Sequence, residues 1–201
     1  EDLLELNQKQ LTRLEPELSG SAALLSPSSG IIDSHSFMKS LLSLSENNKA
    51  IFVPQSPVDN AEPISDGWKI YIGGKEPTSI TCKTVINSTG LYAIKLSKKI
   101  FPNRIVPKLH PTKGVYLRYS GKSPLQHIVY PAIIPGRIEE RVDATPDLGV
   151  SLRFGPNVEE ASSLEDFSVK DEIIQQMLPG IKRYLPNIAA SRLHLDIAGI
   201  R

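Results

Sequence analysis

The sequence lacks most of the features that would announce its chemistry. Its 201 residues contain one cysteine, Cys82, which excludes an internal disulfide and argues against a cysteine-based metal centre. Set after Ile80 and Thr81 in a strand-like pattern, Cys82 reads as a small core residue rather than a nucleophile. No apolar run approaches about 20 residues, so no segment is predicted to cross a membrane as a helix. Neither sign of charge is in excess: 23 basic against 22 acidic residues give a net charge of +1. That balance argues against nucleic acid as the main partner, and no block of like charge is long enough to act as a tail. The four histidines, at 35, 110, 127 and 194, show no metal-ligand spacing. His35 reads as a solvated or capping side chain in the first turn of a helix, with a ligand-facing role as its alternative. No serine lies in a nucleophile elbow, and no Gly-x-Gly-x-x-Gly is present. Gly121-Lys122-Ser123 lacks the strand-to-helix setting of a phosphate loop. The acidic start, Glu1-Asp2, is unlike a secretory or transit peptide. The carboxylate pairs Glu139-Glu140 and Glu159-Glu160 read as solvated.

A hydrophobic content of 40% and a charged content of 22% describe a globular chain long enough to bury a core. The pattern centres on Thr84 to Ala93, where Val85-Ile86 runs into Asn87-Ser88-Thr89-Gly90 and a helical stretch from Leu91 to Lys99 follows. A strand, a tight turn and a helix start leave backbone N–H groups free for an anion or a cofactor edge. An ordinary strand-to-helix turn is the plainer alternative. Before it, Asp2 to Leu14 is predicted as a short polar helix and Ala22 to Leu25 as a short strand. A helix is predicted from Ser34 to Leu44, with Phe37, Met38, Leu41 and Leu42 on one face. Ile51-Phe52-Val53 is predicted as a buried strand, and residues 68–88 as a hairpin feeding the central turn. After it come predicted strands at Val115 to Tyr119, His127 to Tyr130, Arg137 to Asp143, Ser151 to Phe154 (broken by Gly155-Pro156-Asn157) and Ser191 to Ile197. A helix is predicted from Ser168 to Leu178, interrupted by Pro179-Gly180. Eight to ten short strands and three or four helices predict an α+β fold with a mixed, mostly antiparallel sheet and helices on one face.

Several runs together resemble a known family. Leu14-Glu15-Pro16-Glu17-Leu18 is followed by Ser26-Pro27-Ser28-Ser29-Gly30-Ile31-Ile32-Asp33-Ser34-His35, then Val85-Ile86-Asn87-Ser88-Thr89-Gly90-Leu91-Tyr92. Lys113-Gly114-Val115-Tyr116, Ile128-Val129-Tyr130-Pro131, Phe154-Gly155-Pro156-Asn157 and the closing Ala198-Gly199-Ile200-Arg201 continue the series. In this order and spacing they resemble FAD-dependent oxidoreductases of the D-amino-acid oxidase superfamily, nearest the L-2-hydroxyglutarate dehydrogenase branch. The resemblance implies an interior piece of such an enzyme, with the glycine-rich pyrophosphate loop upstream of Glu1. It implies domain boundaries near 1–50 (part of the FAD domain and a connecting helix), 51–100 (hairpin and flavin-contact turn) and 101–201 (substrate domain). It implies FAD as the cofactor, not retained by these 201 residues alone, and a small carboxylate substrate oxidised by hydride transfer to flavin. Carried over residue by residue, Ser88, Thr89 and Gly90 approach the adenosine side of FAD, and Gly30 and Ile31 lie near the flavin ring. Tyr116 and Tyr130 line the substrate pocket, and Arg201 pairs with a substrate carboxylate through its planar fork.

One position departs from the family. Where it usually shows Gly-Val-His, this chain has Arg141-Val142-Asp143, so a natural base for a hydroxy-acid proton is missing. That leaves two expectations: a piece of a FAD-dependent dehydrogenase or oxidase, inactive alone, or a family-like binding module that has lost flavin. Eukaryotic members of the branch are mitochondrial, which implies that compartment for a eukaryotic source and the cytoplasm otherwise.

Overall fold

The computed structural model describes residues 2–133, 135–136, 141–149 and 151–201. The chain divides into two compact units, residues 1–34 with 111–201 and residues 35–110.

The first unit is built on a four-stranded antiparallel sheet in the order β7-β8-β6-β9. Its strands are β6 (Thr112–Tyr119), β7 (Ala144–Pro146), β8 (Leu152–Glu160) and β9 (Leu193–Ile200). The sequence of β6 alternates, and the structure turns Lys113, Val115, Leu117 and Tyr119 to the buried side and Gly114, Tyr116 and Arg118 to the other. Helix α4 (Glu172–Tyr184) covers the buried side with Ile173, Met177, Ile181 and Tyr184. Val115, Leu117, Leu152, Phe154 and Ile181 are fully buried between the two layers. At roughly 1.5–3 kcal/mol per buried large apolar side chain, these residues dominate the unit's stability. The unit also holds a small hairpin, β1 (Leu4–Asn7) with β2 (Ala22–Leu25), and between them α1 (Gln8–Leu14).

The second unit holds α2 (Ser34–Asn47) and a three-stranded antiparallel sheet, β3 (Val58–Ile64), β4 (Gly67–Ile72) and β5 (Thr78–Cys82). A 3₁₀ turn at Gly90–Tyr92 then leads into α3 (Ala93–Ile100). Trp68 meets Phe101 edge to face at 5.6 Å between ring centres, and Lys99 Nζ donates to the Asp59 carbonyl at 3.2 Å. Among the described residues of this unit, only Ala61 and Leu96 are buried large or small apolar residues.

The α+β class with antiparallel sheets stands, with nine strands and four α-helices among the described residues. Several local expectations are corrected. The segment 2–14 is half strand: Asn7 caps α1 in a reciprocal box with Gln10, and that cap stops the helix from running back to Asp2. Ile51, Phe52 and Val53 are exposed and unpaired into any sheet, because a strand exists only against a partner and none of the described strands supplies one. The second arm of the 68–88 hairpin ends at Cys82, leaving Ile86 exposed; Cys82 itself is half-buried rather than core. His127 to Tyr130 forms a single bridge, Val129 to Ala144, not a strand. Strand β8 runs through Gly155-Pro156-Asn157 by way of a bulge against β6, which accommodates a proline that a regular ladder would refuse. Helix α4 also continues through Pro179. Buried Ile173 and Met177 before it and Ile181 and Tyr184 after it outweigh the roughly 3 kcal/mol that an interior proline costs. Of the expected strand at Arg137 to Asp143, residues 137–140 lie outside the described residues, as do Glu139 and Glu140, and 141–143 are irregular.

Candidate functional site

The chemistry-bearing side chains of the first unit gather on the sheet face turned away from α4. On β6 this face carries Thr112, Gly114, Tyr116 and Arg118. Gly114 of β6 pairs with Gly199 of β9, so neither strand sets a side chain there, but Pro156 of β8 packs over Gly114, its Cβ 2.8 Å from where a Gly114 Cβ would stand. A methyl group added at Gly199 would meet nothing within 4 Å, so an approaching group reaches backbone there. At one end, Arg201 exchanges backbone hydrogen bonds with Thr112 at 2.8 and 2.9 Å. Its Nε donates to Thr112 Oγ1 at 3.4 Å. Tyr116 is half-buried and held by Gly155, whose backbone sits at φ +134°. A methyl added at Gly155 would stand 2.8 Å from the Val115 carbonyl and 3.0 Å from Tyr116 Cδ1.

At the other end, Arg118 lies opposite Arg153 of β8 and His194 of β9. Arg153 Nε donates to Asp196 Oδ2 at 2.6 Å, and His194 Nε2 lies 3.2 Å from Ser120 Oγ. Beside Arg153 opens a cavity of about 380 Å³, walled by Ile31 to Ser34 and Thr145 to Gly149. Ile31 is therefore brought next to this end of the sheet. Gly30 stands open, with nothing within 4 Å of an added methyl.

Tyr130 stands apart from Tyr116. It lines a second cavity, of about 940 Å³, together with Glu15, His127 and the β1–β2 hairpin, and the Arg141 guanidinium lies 5.7 Å from its ring centre. Glu15 is buried. Its Oε1 accepts from the Gln126 and His127 backbone N–H groups at 2.8 and 2.7 Å and lies 2.7 Å from His127 Nδ1. Its Oε2 has no hydrogen-bond partner among the described residues.

Asp143, at the position where the resemblance led to an expected histidine, is ion-paired. Its carboxylate accepts from Arg141 Nε at 3.0 Å and Nη2 at 3.4 Å. Burial, and secondarily the charge of Asp143, pushes the Tyr184 hydroxyl well above the ordinary tyrosine range, and that hydroxyl donates to the Val142 carbonyl at 2.9 Å. Glu159, expected to be solvated, instead lies 3.8 Å from the buried Lys113 ammonium. Lys113 Nζ also contacts Asp166 Oδ2 at 3.1 Å and donates to the Ser168 carbonyl at 3.0 Å. Hydrogen bonds from Ser168, Ser162 and Lys113 hold the Asp166 carboxyl well below its usual range.

In the second unit the turn at Ser88, Thr89 and Gly90 is pinned by Asn87. The Asn87 Oδ1 accepts from Thr89 N and Oγ1 at 3.3 and 2.8 Å, and its Nδ2 donates to Ala93 O and Ser97 Oγ at 2.9 and 3.1 Å. Gly90 takes φ +57° with open space around the missing Cβ, a conformation that favours glycine. The alternation expected of a strand at Val115 to Tyr119 sets Tyr116 and Arg118 on one face, but Arg153 and His194 were missed as their neighbours. The only signal for them was the alternation of their own strands, and pairing across the sheet is not written locally.

The chain is 30% identical over 230 residues to the mitochondrial L-2-hydroxyglutarate dehydrogenase of Arabidopsis thaliana, covering 94% of this chain and 47% of that protein. It is 25% identical over 197 residues to the L-2-hydroxyglutarate dehydrogenase of Escherichia coli strain K12, covering 94% and 46%. The chain thus spans about half the length of these relatives. Its fold matches dithionite-reduced L-alpha-glycerophosphate oxidase from Mycoplasma pneumoniae with FAD bound, at a TM-score of 0.82 and 20% identity, over 100% of this chain and 53% of that one. With the family described as "DAO: FAD dependent oxidoreductase" matching residues 2–201, the chain belongs to that family of FAD-dependent oxidoreductases.

Proposed function

We propose that the chain forms the substrate-side part of an enzyme that oxidises a small 2-hydroxy acid of the 2-hydroxyglutarate class. The observation that carries this reading is the open sheet face, where backbone laid open at Gly199, beside Pro156 packed over Gly114, lies between Tyr116 and the Thr112–Arg201 end. FAD, when bound, supplies the hydride acceptor. Each unit taken by itself, the residues present fit part of that group: in the first, Gly30 leaves open space at its backbone; in the second, Ser88 to Gly90 sit in a turn pinned by Asn87, with open space at Gly90. No Gly-x-Gly-x-x-Gly is present for the pyrophosphate.

On this reading Arg201 orients a carboxylate through two parallel N–H donors, and the Tyr116 hydroxyl hydrogen-bonds the substrate from the sheet. Gly155 keeps the Tyr116 ring in place. Tyr130 lines a separate cavity and contributes to the pocket wall rather than to the Tyr116 cluster. The Asp143 carboxylate is engaged by Arg141, and His194 is the imidazole on the open face. The same ion pair favours a second reading, a family-like binding module without flavin. A mitochondrial setting follows for a eukaryotic source by likeness to the Arabidopsis protein.

The test is flavin absorbance and release on the longest natural version of the chain, followed by a screen of 2-hydroxy acids with an artificial electron acceptor. Bound FAD with turnover of 2-hydroxyglutarate is the expected result. A colourless protein with no turnover would replace the oxidoreductase reading with the binding module.

A further inference from the structure

Three basic side chains cross the open sheet face in a row, with a single carboxylate beside them. Register sets Arg118 directly opposite Arg153 on one neighbouring strand and directly opposite His194 on the other. Side chains so opposed share a face with Cβ atoms about 4.5–5.5 Å apart, and like charges in that relation destabilise a sheet. Asp196 answers Arg153 at 2.6 Å, and Ser120 meets His194 at 3.2 Å. Arg118, at the centre, is exposed, and its side chain makes no hydrogen bond or ion pair among the described residues. It stands two positions from Tyr116 on the same strand face, about 7 Å away along the strand, which is the scale of a short dicarboxylate.

We propose that Arg118, flanked by Arg153 and His194, is an anion subsite on the open sheet face that takes the second acidic group, carboxylate or phosphate, of a two-headed anionic substrate. The inference rests on the reading that substrate lies over this face, and it adds the residue that distinguishes a dianion from a monoacid. A guanidinium suits the task because it stays charged and presents a planar fork to either group. The anion lies over Arg118 rather than in the 380 Å³ cavity beyond Arg153, because that cavity's wall carries Asp33 and Asp147, whose carboxylates repel it. An anion over the row also offsets the repulsion between Arg118 and Arg153, so the subsite and the sheet stabilise each other.

The test is calorimetric titration of the full chain with 2-hydroxyglutarate, glycerol phosphate and the monoacid 2-hydroxybutyrate. The wild-type chain is expected to bind at least one dianion about tenfold more tightly than the monoacid. Arg118→Gln should remove that preference and leave monoacid binding unchanged, and Arg118→Lys should restore part of it. His194→Gln should weaken the dianion by a smaller factor. Loss for hydroxyglutarate alone identifies the ligand group as carboxylate, and loss for glycerol phosphate alone as phosphate. Equal binding of monoacid and dianions by wild type, no dianion binding at all, or an Arg118→Gln variant that keeps the preference would each overturn the subsite. Failure here is separable from failure of the oxidoreductase reading: turnover with no Arg118 effect removes only the subsite, whereas an Arg118-dependent preference in a protein without flavin removes only the oxidation chemistry.

Discussion

The central strands of the two sheets invite comparison. In β6, the middle of the four-stranded sheet, Val115 and Leu117 are completely buried; in β4, the middle of the three-stranded sheet, every residue from Gly67 to Ile72 is only half-buried. Both strands are hydrogen-bonded on both edges, so pairing does not separate them. The difference is a second layer. Helix α4 lays an apolar stripe over one face of the β6 sheet, while α2 buries none of its side chains. Hydrogen-bonded ladders define strands, but burial of an apolar face against another layer supplies most of the stability.

The sharpest way to break the comparison is truncation at its centre. Leu117→Ala should cost roughly 2–5 kcal/mol, because α4 and the sheet cannot close fully over the space left behind; urea unfolding monitored by circular dichroism measures it. A loss below 1 kcal/mol would mean that the first unit is no better packed than the second.

A smaller effect tests whether the buried end of β6 depends on charge. The Asp166 carboxyl is held below its usual range in the folded chain, so its contribution to stability is present above the unfolded value near 4 and is lost as pH falls through and below it. Asp166→Asn should therefore be less stable than wild type at pH 7 and should lose less stability between about pH 5 and pH 2. The two variants' melting temperatures across that range decide it; parallel curves would mean that the Lys113 cluster makes no pH-linked contribution. The smallest effect is expected in the second unit, where Phe37 is half-exposed on α2. Phe37→Ser should change stability by no more than about 0.5 kcal/mol, and a loss several times larger would show that this helix face is covered in the native chain.

What was legible in the sequence follows the same division. Helix α2, the β4–β5 hairpin and β6 were readable because each is set by a local period or turn. The cap that starts α1, the passage of α4 through Pro179 and the bulged β8 were not readable. In each of these, tertiary burial or a side-chain cap overrides a local rule. The site divides likewise. Tyr116 and Arg118 follow from alternation within one strand, but the opposition of Arg118 to Arg153 and His194 depends on register, which no short stretch of chain encodes. Asp143 was flagged as a departure from the family, and its pairing with Arg141 was visible only in three dimensions.

The Glu15 carboxylate has a consequence for how the chain reaches this state. It joins two stretches 111 residues apart through the Gln126 amide, and closing a loop of that length costs on the order of 4 kcal/mol in chain entropy. A contact so distant in sequence is repaid only after the intervening chain has condensed. The N-terminal hairpin is therefore expected to dock late in folding, with Glu15 acting on how long the finished fold persists rather than on how fast it is found.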